Sequence, residues 1–132
     1  MATTQSPRLE TKQIPREQWK GYFDRFTLQY LKDDEPEAAT IEVVSPTLGD
    51  QFEVTAVRLL GLSYDPKSNV FELQLEDMEH LVFEPAEIWA IEQEGGFVSA
   101  LEVVRRDGVK EILYVRKSGP LALRYEAPVS PA

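Results

Sequence analysis

The feature that most constrains this chain is a single change of hydrophobic period. Between positions 19 and 31 the apolar residues are Trp19, Tyr22, Phe23, Phe26, Tyr30 and Leu31. Steps of one, three and four residues keep them on one stripe of a 3.6-residue period, so the spacing predicts an amphipathic helix. Pro15 suits its first turn, where the missing N–H would have no partner anyway. Glu17 sets negative charge at the positive helix end. Asp33-Asp34-Glu35-Pro36 stops it, since acids oppose the negative end and the residue before proline avoids the helical region. After this point the period is two. A chain with one helix followed only by strands has to lay that aromatic stripe on a sheet.

The alternation can be followed to residue 116. Ile41 and Val43 alternate before the break at Ser45-Pro46, and Phe52, Val54 and Ala56 alternate after the turn Thr47 to Asp50. Val57 to Leu62 is apolar on both phases except Arg58, which predicts a strand covered on two sides or one bending at Gly61. Asp65-Pro66-Lys67-Ser68-Asn69 is a turn, with proline fixing φ and asparagine tolerating positive φ. Phe71, Leu73 and Leu75 share one face. A second turn at Asp77-Met78-Glu79 leads to a short strand over 80–84, a kink at Pro85-Ala86-Glu87, and an apolar run Ile88 to Ile91. Residues 98–105 and 110–116 flank Asp107-Gly108, a hairpin signal. The expected fold is α+β, mainly β: one N-terminal amphipathic helix packed on a bent antiparallel sheet or small open barrel. Residues 1–13 lack periodicity and read as a flexible arm. Residues 14–117 read as a single domain, and 118–132 as an extended tail, partly docked through Leu121, Leu123 and Tyr125.

The 132 residues suffice for one core without a covalent staple. Cysteine is absent, which removes thiolate nucleophiles, disulfides and sulfur-ligated metals. The first seven residues have no signal-peptide core, and no run reaches the length of a membrane span. A cytoplasmic location, with no membrane partner, is the expectation. Residues 37–97 carry thirteen acidic side chains against two basic ones, within a net charge of −9 for the whole chain. A body this negative repels phosphate backbones, so no nucleic-acid partner is expected.

Sites for chemistry are sparse. Gly61-Leu62-Ser63-Tyr64-Asp65 has aspartate where a nucleophile elbow needs its second glycine, and its flanks read as strand and turn. His80 is the one histidine, so any triad would have to use it. Glu76, Asp77, His80 and Glu84 form the one candidate metal set; carboxylates beside an imidazole can hold a divalent ion, but no recognised ligand spacing is present. No phosphate cradle is found, because Gly95-Gly96 does not open a helix. No cofactor and no catalytic residue are expected.

Several segments resemble a family of short bacterial proteins catalogued as a domain of unknown function. They are Ile14-Pro15-Arg16-Glu17-Gln18-Trp19, Gly61-Leu62-Ser63-Tyr64-Asp65-Pro66-Lys67, Glu79-His80-Leu81, Pro85-Ala86-Glu87-Ile88, Leu101-Glu102-Val103-Val104 and Asp107-Gly108. The resemblance implies a bacterial domain and no catalytic residue. Helix-then-strand order, with Gly61, Asp65 and Asn69 around a strand turn, is also faintly similar to Sm-like and SH3-like small barrels. This favours a bent sheet, and RNA binding does not follow from it.

These observations point to a non-enzymatic protein-interaction or structural module that self-associates. The alternative is a ligand- or metal-binding domain, or an enzyme, using the carboxylates near His80. A two-residue turn at Asp107-Gly108 would pair Val103 with Ile112 and Leu101 with Tyr114, with those four facing the core. Ala100, Val104, Leu113 and Val115, beside Glu102 and Glu111, would then form a second apolar strip. That strip is to be covered either from within the chain, by the N-terminal helix or the C-terminal tail, or by a two-fold partner, for which these four residues are the interface candidates of a homodimer.

Overall fold

The computed structural model describes residues 9–32 and 36–117. Extended Pro15 (φ −60°, ψ 143°) leads through a 3-10 turn, Arg16–Gln18, into helix α1, Trp19–Tyr30. Trp19, Phe23 and Phe26 are buried, as the stripe requires. The Trp19 indole N–H donates to the Ile14 carbonyl at 2.8 Å, so its one polar atom is satisfied inside. The acidic stop at 33–35 lies outside the described residues, as do 1–8 and the tail 118–132 with Leu121, Leu123 and Tyr125.

Eight strands form among the described residues: β1 Leu9–Ile14, β2 Glu37–Ser45, β3 Gly49–Asp65, β4 Val70–Leu75, β5 Glu79–Phe83, β6 Pro85–Gln93, β7 Val98–Arg105 and β8 Lys110–Lys117. They make one antiparallel sheet in the order β1-β6-β7-β8-β2-β3-β4-β5. The expected class holds: mainly β, with one helix packed on a bent, open antiparallel sheet. The flexible arm expected over 1–13 is not what residues 9–13 form. Residues 9–13 belong to β1, in register with β6 from Leu9↔Gln93 to Ile14↔Ile88. Five of its six side chains are exposed, so backbone pairing alone makes this strand and no apolar alternation announces it.

The bend is built into β3, a strand of 17 residues. Its first part pairs with β2, from Ser45↔Gly49 to Glu37↔Leu59, and its second with β4, from Leu59↔Leu75 to Asp65↔Val70. Register shifts accompany the exchange of partners, and Ala56 takes a left-handed φ of 52°. The two-sided apolar run Val57 to Leu62 is thus a bend. Beyond it β2 no longer flanks β3, and α1 takes its place: the Thr27 hydroxyl donates to the Leu62 carbonyl and accepts from the Leu62 N–H, both at 2.9 Å. Thr27→Val keeps the shape and strands both backbone groups. It is expected to cost about 1–3 kcal/mol in a urea titration, with exposed Leu28→Ala near zero as the control.

Arg16 ties the helix start to the sheet. Its guanidinium donates at 3.1 Å to the Tyr64 hydroxyl, to Asn69 Oδ1 and to the Pro85 carbonyl, and lies 4.5 Å from the Trp19 ring centre. One planar group therefore joins the β3–β4 turn to the start of β6.

The last hairpin differs from expectation by one residue. Arg105 N–H bonds the Val109 carbonyl and Gly108 N–H bonds the Arg105 carbonyl, both at 2.9 Å, with Gly108 at φ 88°. The loop is the three residues Arg106-Asp107-Gly108 with glycine in the left-handed position, not a two-residue turn. Leu101 pairs with Leu113 and Val103 with Glu111. A slip of one residue turns β8 over. Leu113 (2% exposed) and Val115 (5%) enter the core, while Tyr114 (42%) faces out. Ala100 is buried too, and Val104 is half-buried. The strip proposed for a two-fold partner is consequently covered within the chain at three of its four positions.

Candidate functional site

Turning β8 over carries Glu111 inward, where a polar cluster forms. Sheet curvature brings β5 across to β8, and His80 Nε2 lies 2.6 Å from Glu111 Oε1. Arg105, at the end of β7, donates from Nη1 to Glu111 Oε2 at 2.9 Å and from Nη2 to Asp107 Oδ2 at 2.6 Å. The Glu111 side chain is 7% exposed and that of His80 15%. Burial pushes the Glu111 carboxyl upward and is the largest single influence on it. The hydrogen bonds and charges of His80 and Arg105 together outweigh it, and the group ends below the ordinary carboxylate range. Asp107 is held low by its bond to Arg105, then by the Val109 N–H. Both oxygens of Glu111 are engaged, so the cluster works as an internal strut between β5, β7 and β8. The expected register set Glu111 beside the second, outward strip. Its signal was alternation with Leu113 and Val115, which the assumed register directed outward.

The metal candidates do not assemble. His80 is committed to Glu111. Glu84 adopts φ 55° in the β5–β6 junction, where its N–H bonds the Asn69 carbonyl, its carbonyl accepts from Arg106 N–H, and its Oε1 lies 3.9 Å from Arg106 Nη1. Glu76 and Asp77 sit in the β4–β5 turn. Among the described residues no group of three or more histidines and carboxylates could hold a metal ion. Ser63 is set apart as well. It pairs across to Glu72, and Glu72 to Leu81, whereas His80 points to the opposite face of the same strands.

Two other polar groupings stand out. Tyr22 donates to Glu92, which Lys12 approaches at 3.3 Å; burial and then that bond push the phenol upward. On the outer face of β4 and β5, the neighbouring Glu79 and, after it, burial raise the Glu72 carboxyl. Beside them a depression of about 420 Å³ lies between α1 and β3–β4, lined by Asp24, Thr27, Leu28, Lys32, Gly61 and Glu72 among others.

Eight large apolar side chains are exposed among the described residues: Leu28 on α1, Leu48 and Met78 in turns, and five on strands, Leu9 among them. Phe52 (62% exposed), Leu81 (39%), Phe83 (59%) and Tyr114 (42%) all project from strands. Leu81 and Phe83 belong to β5, which among the described residues pairs with β4 only and closes one side of the sheet order. Among the described residues no helix is long and apolar enough to cross a membrane.

No solved structure matches this chain. A protein of Aquifex aeolicus (strain VF5), carrying the name "Uncharacterized protein", is 43% identical over 114 residues, covering 86% of this chain and 98% of that protein. The profile of a family of unknown function, DUF5335, matches residues 10–124, from β1 to beyond β8. With most of its length matched on both counts, the chain belongs to this family of unknown function, DUF5335.

Proposed function

We propose that this chain is a non-catalytic interaction module that works in the cytoplasm and binds protein through its exposed strands. The observation that carries the reading is that every exposed aromatic side chain named above stands on a strand, with Leu81 beside one of them. Phe52, Leu81, Phe83 and Tyr114 stand on strands, two of them on an edge strand, while the interior polar cluster is occupied with its own hydrogen bonds. Exposed apolar strand surface is costly to keep in water and favours a partner. The absence of cysteine fits a reducing compartment. Self-association belongs to the same reading, but the buried face with Leu113 and Val115 is not open to it.

A photo-crosslinking side chain placed singly at Phe52, Phe83 and Tyr114, and irradiated in cells, tests the reading. A discrete protein adduct at one or more of these positions is the expected result. Absence of adducts at all three, together with a monomer in light scattering, overturns it.

A further inference from the structure

Among the described residues, nothing bonds one side of the β5 backbone. Leu75 N–H bonds the Met78 carbonyl at 2.8 Å, and Glu84 N–H bonds the Asn69 carbonyl at 3.1 Å. Even-numbered residues along this stretch therefore turn their backbone groups to β4. By strand alternation the N–H and C=O groups of Glu79, Leu81 and Phe83 face away from it. Their side chains lie on the outer face, where Leu81 and Phe83 are exposed and Met78 (45%) stands at the strand's start. A row of free donors and acceptors beside an apolar row is a template for another strand.

Charge says which strand. From residue 70 to 87 the sequence carries Glu72, Glu76, Asp77, Glu79, Glu84 and Glu87, and neither lysine nor arginine. Glu72 and Glu79 crowd against one another as diagonal neighbours on the outer face next to Leu81. We propose that the free edge of β5 receives an extended segment of a partner protein in which apolar residues alternate with lysine or arginine, adding it to the sheet as a further strand. Apolar side chains of the incoming strand would cover Leu81 and Phe83, and a cation beside Glu79 would relieve the Glu72–Glu79 crowding. A second copy of this chain fits less well. Antiparallel pairing of two β5 strands about Leu81 sets Glu79 of one copy opposite Phe83 of the other and Glu84 opposite Met78, so carboxylates face apolar side chains and neither strand supplies a lysine or arginine to offset them. The proposal rests on the interaction-module reading and narrows it to one edge and one chemistry.

The test uses the full chain and a dye-labelled short peptide alternating valine and lysine, followed by fluorescence anisotropy. Two controls replace lysine by glutamate, or N-methylate alternate amides so that one strand edge cannot bond. The lysine peptide is expected to bind with an affinity that falls as salt rises, and both controls to fail. Leu81→Pro removes an N–H that β4 does not use, and should weaken binding by about tenfold or more. Leu81→Lys and Phe83→Lys leave the backbone intact and should weaken it as well, which keeps the result readable if the proline variant does not fold. Equal binding of either control peptide, no binding of the lysine peptide, or full affinity in both lysine variants overturns the proposal. A wild-type dimer that Leu81→Lys dissolves assigns the edge to a second copy and also overturns it. Crosslinks in cells at Phe52 or Tyr114 without peptide binding would sink this edge and leave the module reading standing.

Discussion

Phe23→Ala is expected to lower stability by about 3–5 kcal/mol, the range for truncating a fully buried phenylalanine. Phe23 has no exposed surface and sits at the centre of the contact between α1 and the sheet. Its ring lies 4.8 Å from that of Phe71 on β4 and 5.3 Å from that of Tyr22. The cavity left by alanine would be walled by strands that pair on both sides, so little collapse can fill it. For a chain of this size the melting temperature should fall by about 10–20 °C. Leu28→Ala on the same helix, at a site 71% exposed, should move it by a degree or so at most. A Phe23→Ala melt within about one degree of wild type would show that the helix does not close the core.

Arg105→Ala should have the next largest effect, about 1.5–3 kcal/mol at neutral pH, the scale of a hydrogen bond to a charged group. Arg105 is the fixed cation of the polar cluster, with its side chain 30% exposed, and its removal leaves the Glu111 carboxylate buried with His80 alone. The pH dependence carries a sign that can be checked. The folded chain holds the Glu111 carboxyl below its ordinary value, so the unfolded chain binds more protons in the acid range. Glu111 thus contributes stability above the ordinary carboxylate range near about pH 4, and this contribution is lost as pH falls through the folded value. Without Arg105, burial is opposed only by His80, and the loss should begin at higher pH. Urea midpoints measured along an acid series for wild type and Arg105→Ala should diverge most near neutrality and converge in acid. A constant gap at every pH would show that Glu111 is not the group that Arg105 holds.

How much could be read from the residues depended on which force made each element. The helix was legible because an apolar stripe made it. Trp19, Phe23 and Phe26 are buried where the spacing put them. The turn at Asp65–Asn69 was legible through local chemistry: Lys67 N–H bonds Asp65 Oδ1, and Asn69 adopts φ 56°. Strand β1 was not, because its polar residues are held by backbone pairing to a segment some 80 positions away, and side-chain pattern carries no record of that. The polar cluster was missed for a narrower reason. Asp107-Gly108 fits a two-residue and a three-residue loop equally well, and the choice decides whether Glu111 faces water or His80. The same ambiguity moved Leu113 from a candidate interface into the core.

The strand order also sets an order of events in time. β2 to β5 form a meander of neighbours, and so do β6 to β8, and such local pairings close within short loops. The seams that join the two halves are β2 with β8 and β1 with β6, linking positions such as Glu37 with Lys117 and Leu9 with Gln93. Closing loops of this length makes folding slow relative to helical chains of the same size. On the ribosome the β2–β8 seam cannot form until β8 has left the exit tunnel. Until then β2 waits with one edge open, so each newly made chain passes through a period in which the strand later sealed by its own C-terminal hairpin is available to whatever arrives first.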